Sequence, residues 1–325
     1  MPKWSREQIE DYYYSLYSLF LEDARQNFSH IGKELQINDK SAAKLYRWAL
    51  NENVLFPPFL RLNTFPNCQE FTYFLRFRDV QPAYENLKDD PRIVYETVCS
   101  GAFDLMVMSS EKIDFSMEPG FDSFVISGLR SDHIYNKVER RSMGEYFTEF
   151  ERLLDKDTFI KADLVFPQRG ALKWDDADFS LFRLLKENFR TKYIDIIRCF
   201  KFGKSVFYDH LHNVMDNCIV WTPYFPKSYT NYNEYLVLFK TQHEIQLVEQ
   251  LERIPVHCPI FKVGEWIFAY VMLERDFLQK IFFNLLSSMK SSGFIEDYKY
   301  SIPVSHWKKV WTIQDFLPHH SPHRT

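Results

Sequence analysis

A helix-turn-helix layout occurs twice in this chain, and that repetition constrains the fold more than any other feature. Leu21-Glu22-Asp23 leads through Ser29, Leu35, Asn38 and Ser41 to Asn53-Val54-Leu55. The same order returns from Leu185-Lys186-Glu187 through Phe200, Gly203 and Ser205 to Asn217-Cys218-Ile219. Ser41 maps onto Ser205 and Asn53 onto Asn217 at an offset of 164 residues. A repeat this long means duplicated domains and excludes a solenoid of short units.

Within each copy the hydrophobic period changes after the third helix. In the first, Tyr13, Leu16, Tyr17, Phe20 and Leu21 follow helical spacing behind a capping Ser5. Ser29 caps a short second helix, and Asn38 or Asp39 caps a third in which Ala42, Leu45, Tyr46 and Ala49 face inward. Leu55-Phe56-Pro57-Pro58 then reads as an extended wing. A strand over 70–77, a helix over 81–88 and strands over 92–98 and 103–108 form the front half of a βαββαβ sandwich. A helix over 144–154 and a strand over 159–166 complete it, with a long insertion at 114–141.

The second copy gives helices over 178–188, 192–199 and 205–215 and a strand over 235–239. A helix over 242–251, strands over 256–263 and 266–273, a helix over 277–289 and a strand over 295–302 follow. The fold class is α+β, a tandem duplication of a winged helix-turn-helix plus a ferredoxin-like βαββαβ domain. The expected domains are a first head at 1–62, a first body at 63–170, a second head at 174–226 and a second body at 230–312. A Pro/His-rich tail at 313–325 reads as disordered.

Composition limits the function. A net charge of −4 argues against broad coating of nucleic acid, and residues 1–60 hold seven bases against eight acids. Nine glycines are too few for most Gly-rich phosphate cradles. Gly203-Lys204-Ser205 lacks the upstream glycine of such a loop, and His243-Glu244 lacks the second histidine of a zinc-protease helix. Five cysteines without a CxxC pair point to structural thiols in a reducing compartment. With no apolar leader and no spanning stretch, a cytoplasmic location without membrane contact is expected. No metal, cofactor or nucleophile–base constellation emerges, and an enzyme is not expected.

Leu21-Glu22-Asp23-Ala24-Arg25, Ile31-Gly32-Lys33-Glu34-Leu35-Gln36-Ile37-Asn38 and Ser100-Gly101-Ala102-Phe103-Asp104-Leu105 together resemble the Lrp/AsnC, or feast/famine, regulator family. The likeness covers nearly the whole chain, taken as two fused members. It implies a ligand-responsive DNA-binding transcription regulator that acts as a covalent pseudo-dimer, with oligomers formed through the ferredoxin-like domains. The second copy departs from the pattern. Ile267 stands where the signature Asp belongs, and Asn188-Phe189-Arg190 replaces the Asp-Ala-Arg ending. The second half is therefore expected to keep a scaffold role and to lose effector binding.

The leading turns of a reading helix enter the major groove. In the first copy this places Asn38, Asp39, Lys40, Ser41, Lys44 and Arg47 against double-stranded DNA, and in the second Lys201, Lys204, Ser205, Tyr208 and His212. The cations neutralise phosphate more than they specify sequence. Because the heads differ, an asymmetric operator is expected. The resemblance places a small-molecule effector, an amino acid or a relative of one, at Ser100, Gly101, Phe103 and Asp104. Gly101→Val is expected to block the ligand while sparing the fold. The alternatives are a tetrapyrrole (sirohaem-type) decarboxylase of Lrp-like fold, with Arg130, His133, Arg140 and Arg141 on the propionates, or an interaction protein that does not bind DNA. The Cys-Tyr-Arg-Arg-like segment associated with the decarboxylases is absent.

Overall fold

The computed structural model describes residues 4–155, 158–275 and 278–316. In chain order its first elements are α1 (Arg6–Glu22), α2 (Phe28–Glu34), α3 (Asp39–Asn51), β1 (Phe59–Leu62), β2 (Phe71–Phe77), α4 (Gln81–Leu87), β3 (Ile93–Gly101) and β4 (Leu105–Ser109). Next come β5 (Phe121–Leu129), β6 (Ile134–Tyr135), α5 (Met143–Leu154), α6 (Asp176–Leu185), α7 (Tyr193–Phe200), α8 (Lys204–Asp216) and β7 (Cys218–Trp221). The chain closes with β8 (Tyr232–Lys240), α9 (Glu244–Leu251), β9 (Pro259–Val263), β10 (Trp266–Glu274), α10 (Leu278–Ser291) and β11 (Asp297–Lys308). The chain is α+β, as its patterning predicts. Among the described residues no helix is long and apolar enough to cross a membrane.

Two compact units result. One collects both heads, residues 4–63, 173–223 and 310–316; the other collects both bodies, 64–172 and 224–309. In the helical unit, Ser5 caps α1 in a capping box with Gln8. Asn27, not Ser29, caps α2, its side chain accepting from the His30 N–H at 2.8 Å. Asn38 caps α3 and accepts from the Ser41 N–H at 2.8 Å.

Caps and burial also correct the register of the repeat. Gln36 and Lys201, each with φ 55°, occupy the same turn before the third helix. Asn38 and Gly203 are the following N-caps. Buried Ala42, Tyr46 and Ala49 of α3 correspond to buried Phe207, Leu211 and Val214 of α8. The heads therefore repeat at 165 residues, and Ser41 stands opposite Val206 instead of Ser205. A core fixes helical phase, whereas a matching surface serine does not.

At this register Arg190 is the counterpart of Arg25, and the two make reciprocal contacts. The Arg25 guanidinium donates to the Phe189 and Thr191 carbonyls and lies 3.5 Å from the Tyr193 ring centroid. The Arg190 guanidinium donates to the Ala24 carbonyl at 2.9 Å and the Gln26 carbonyl at 3.1 Å, and lies 5.1 Å from Phe28. Burial pushes both arginines below their ordinary pKa. Antiparallel pairing of β1 with β7, from Phe59–Trp221 to Leu62–Cys218, adds a second link. The strand after each third helix is thus paired with the other head's strand. Ile313–Phe316, expected from composition to be part of a disordered tail, forms a 3-10 turn whose Phe316 packs on Phe200 at 5.3 Å. The histidines of that tail lie outside the described residues.

In the sheet unit nine strands run in the order β5-β2-β4-β3-β11-β8-β10-β9-β6. The run β11-β8-β10-β9 is the 4-1-3-2 order of a complete ferredoxin-like domain. The run β5-β2-β4-β3 repeats that order with one change. Its fourth strand is β5, which lies inside the predicted insertion and pairs antiparallel with β2. Residues 159–166 form no strand. They make one parallel bridge, Ala162 to His243, at the start of α9. The helix expected between β4 and β5 is replaced by a loop whose buried Ile113 and Phe115 fill the space against Tyr73.

The displaced helix, α5, packs on the second body. Phe147 meets Phe282 at 6.2 Å, and Phe150 meets Phe294 at 5.9 Å. The two half-sheets join edge to edge through β3 and β11, and Arg130 at the end of β5 bridges back to Val263 of β9. Phe74, Met106 and Phe103 from the first half share one core with Leu236, Leu238, Phe261 and Phe268 from the second. Strands with apolar side chains on both faces are explained by this core on one side and helices on the other.

Candidate nucleic-acid interface and effector depression

The third helix of each head and the turn before it carry the residues predicted to face DNA. Asn38, Asp39, Lys40 and Arg47 are exposed, while Ser41 and Lys44 are half-buried. Lys44 Nζ sits 4.5 Å from the Trp48 ring centroid, and the Asn38 Oδ1 is engaged by the cap. Buried Ala42, Leu45, Tyr46 and Ala49 hold one face of α3 inward. Lys40, Lys44, Arg47 and Asn51, at i, i+4, i+7 and i+11, therefore lie along the opposite face.

In the second head Lys201, Lys204, Ser205, Tyr208 and His212 are all exposed. Lys201 sits in the turn and Lys204 opens α8. His210 takes the place of Leu45 at the corrected register and turns inward. Its Nδ1 is 2.9 Å from Asp178 Oδ1, and Asn213 donates to Asp178 Oδ2 at 2.7 Å. Asp175, Asp178 and His210 bring ligand-type atoms within 4.8 Å of one another. The Asp175 side chain accepts from the Asp178 N–H, so this group is explained as a helix cap joined to a buried polar bridge between α6 and α8.

The predicted effector residues divide into two pairs. Ser100 and Gly101 line a depression of about 650 Å³ together with Lys290, Asp297 and Lys299. Lys290 Nζ is 2.7 Å and Lys299 Nζ 3.7 Å from the Asp297 carboxylate. Phe103 is fully buried; its N–H donates to Ser301 Oγ, and its carbonyl accepts from the same hydroxyl. Asp104 is occupied by the protein's own donors, Arg76 Nη1 at 3.1 Å and the Phe77 N–H at 3.0 Å.

Gly101 has φ +146°, and a Cβ there would lie 2.6 Å from the Tyr300 carbonyl oxygen. Gly101→Val must therefore wedge β3 away from β11, contrary to the expectation that it spares the fold. We expect an overpacking loss of about 1–3 kcal/mol or more, readable as a lowered thermal midpoint.

Patterning did not reveal two polar groups in the body. The first is Glu234, which accepts from the phenols of Tyr229, at 2.5 Å, and Tyr270. Beside it Thr97 Oγ1 donates to Tyr95 Oη at 2.5 Å. Burial, then the Glu234 charge, pushes the Tyr270 phenol up, so these phenols stay protonated as donors. The second is Glu96, fully buried on β3, with neither carboxylate oxygen hydrogen-bonded. The only hint is a glutamate within an otherwise strand-like run.

Two of the three arginines nominated for a tetrapyrrole are engaged elsewhere, and Arg140 is exposed. Arg130 is buried against Glu70 at 2.7 Å, and Arg141 bonds Glu149 at 2.7 Å and the Arg253 carbonyl. The His133 ring stacks on Tyr135 at 5.4 Å.

No family model and no curated relative matches the chain. Among solved structures it is similar to the crystal structure of the siroheme decarboxylase NirDL, with a TM-score of 0.47 and 9% identity over 94% of this chain and 97% of that one. The same enzyme in complex with an iron-uroporphyrin III analogue gives a TM-score of 0.46 and 9% identity over 91% and 93%. At that distance no residue role and no activity carries over.

Proposed function

We propose that the chain is a ligand-responsive DNA-binding transcription regulator of Lrp/AsnC type, a covalent pseudo-dimer working in the cytoplasm. The observation that supports this best is the outward stripe of α3, where Lys40, Lys44 and Arg47 follow one another on the face opposite the core. Three cations at that spacing suit a run of phosphates along a groove, and the helix-turn-helix supplies the platform. The effector reading now rests on the depression at Ser100 and Gly101. Lys290 and Lys299, which pair with Asp297 here, would exchange it for a ligand carboxylate, and Asp297 would then accept from an ammonium group. An amino acid carries both groups.

A gel shift on the protein's own upstream DNA, with and without amino acids, tests the reading. Lys40→Ala, Lys44→Ala and Arg47→Ala together are expected to weaken duplex binding at least about tenfold near 0.1 M salt, because three phosphates are left without a protein cation. Unchanged affinity across a salt titration removes these residues from the interface. Lys290→Ala with Lys299→Ala is expected to raise the effector's Kd roughly 10–100-fold, the range for losing a charge-assisted bond. An unaltered ligand response would clear the depression of that role. Tetrapyrrole decarboxylation, the activity of NirDL, is the alternative. An absorbance change on adding an iron tetrapyrrole, with no duplex binding, would favour it.

A further inference from the structure

The corrected register permits a position-by-position comparison of the two reading helices. Stepping 165 residues from Lys40, Lys44, Arg47 and Asn51 gives Ser205, Asp209, His212 and Asp216. All four are exposed, and buried Phe207, Leu211 and Val214 hold the other side of α8 inward. Where the first head presents three cations, the second presents two carboxylates and an imidazole. Lys201 and Lys204 lie in the turn and at the helix start, off this stripe.

Duplex DNA carries about one negative charge per 1.7 Å of axis. A helix laid along a groove on its Asp209–Asp216 face would therefore set like charge against like. We infer that one chain grips DNA through the first head alone, so that it covers a single half-site and a two-half-site operator takes two chains. The second head supplies structure, holding the first through the Arg25 and Arg190 bridges and the β1–β7 pair. This inference rests on the regulator reading and adds to it which helix does the reading.

The test uses the full chain, a pool of mixed-sequence duplexes and salt-titrated affinity. The Lys40/Lys44/Arg47 triple alanine variant is expected to lower the salt slope by about 2.7, at 0.9 per phosphate neutralised. Lys201→Ala with Lys204→Ala is expected to leave affinity within about twofold, since neither cation lies on a phosphate-facing stripe. Ser205→Lys, Asp209→Lys and His212→Arg together, which copy the first head's stripe onto α8, are expected to tighten binding, steepen the slope and lengthen the footprint. Far-UV circular dichroism confirms that each variant is folded. If the Lys201/Lys204 variant loses as much affinity as the first-head triple, both heads read and the inference is overturned while the regulator reading stands. If the unmodified chain binds no duplex in the pool, the regulator reading falls and takes this one with it.

Discussion

Arg190→Ala is expected to cost the protein about 2–4 kcal/mol of stability, from two part-buried hydrogen bonds to a charged group and its ring contacts. The guanidinium serves two carbonyls, Ala24 and Gln26, and lies 4.7 Å from Phe20 and 5.3 Å from Tyr46 as well as close to Phe28. Each carbonyl left without its donor loses about 1–3 kcal/mol. Each desolvated cation–ring contact adds about 1 kcal/mol. Arg190→Lys keeps the charge but not the fork that spans both carbonyls, so it should recover less than half of the loss. Arg25→Ala should act similarly, and the double variant should fall short of the sum because both residues secure one joint. Chemical denaturation followed by tryptophan fluorescence reads all four. A loss under about 0.5 kcal/mol, typical of a surface change, would mean that the joint does not hold the heads together.

Stability should decline as pH rises from about 4.5 to 8, and Glu96→Gln should remove that decline. Burial holds the Glu96 carboxyl up at about 8, with Lys88 pulling it down and Glu85 pushing it up. In the unfolded chain the same group releases its proton near the ordinary glutamate value, about 4.3. Between those two values the unfolded state loses a proton that the folded state keeps, so each step up in pH favours unfolding. Above about 8 both states are ionised and the contribution levels off. Glutamine has no proton to lose. The variant should match the original protein near pH 4 and exceed it by several kcal/mol near pH 8.5, at most about 5 from the gap between the two values. Thermal melts at the two pH values provide the comparison. Parallel curves would show that Glu96 finds a partner when it ionises.

Local signals in the sequence are accurate, and assignments between elements are less so. The Ser5 cap, the inward faces of α1 and α3 and the apolar face of α5 all follow from short-range periodicity, which the chain carries in itself. That periodicity says a helix is buried but not against what, so chain order assigns α5 to the first body instead of the second. β5 escapes notice because Asp122, Ser123 and Phe124 are exposed in a row and break the alternation that marks a half-buried strand. Residue identity displaces the repeat by one position, because Ser41 and Ser205, and Asn53 and Asn217, match by identity while the core positions match only by burial. That single residue also hides the pairing of Arg25 with Arg190. At the candidate effector turn, Gly101 lies where the pattern puts it. Asp104 looks free to bind only as long as Arg76 and the Phe77 N–H, both from another strand, are out of view.

The placement of α5 also bears on the origin of the chain. A plain fusion of two identical subunits would leave each half able to fold on its own sheet, and fission between them would be harmless. Here the amino-terminal half carries the helix that covers Phe282 and Phe294 of the carboxy-terminal half, and it makes do with Ile113 and Phe115 in its own body. Expressed as two polypeptides, the halves should be soluble only when produced together. The interlock makes the covered core of each half depend on the other.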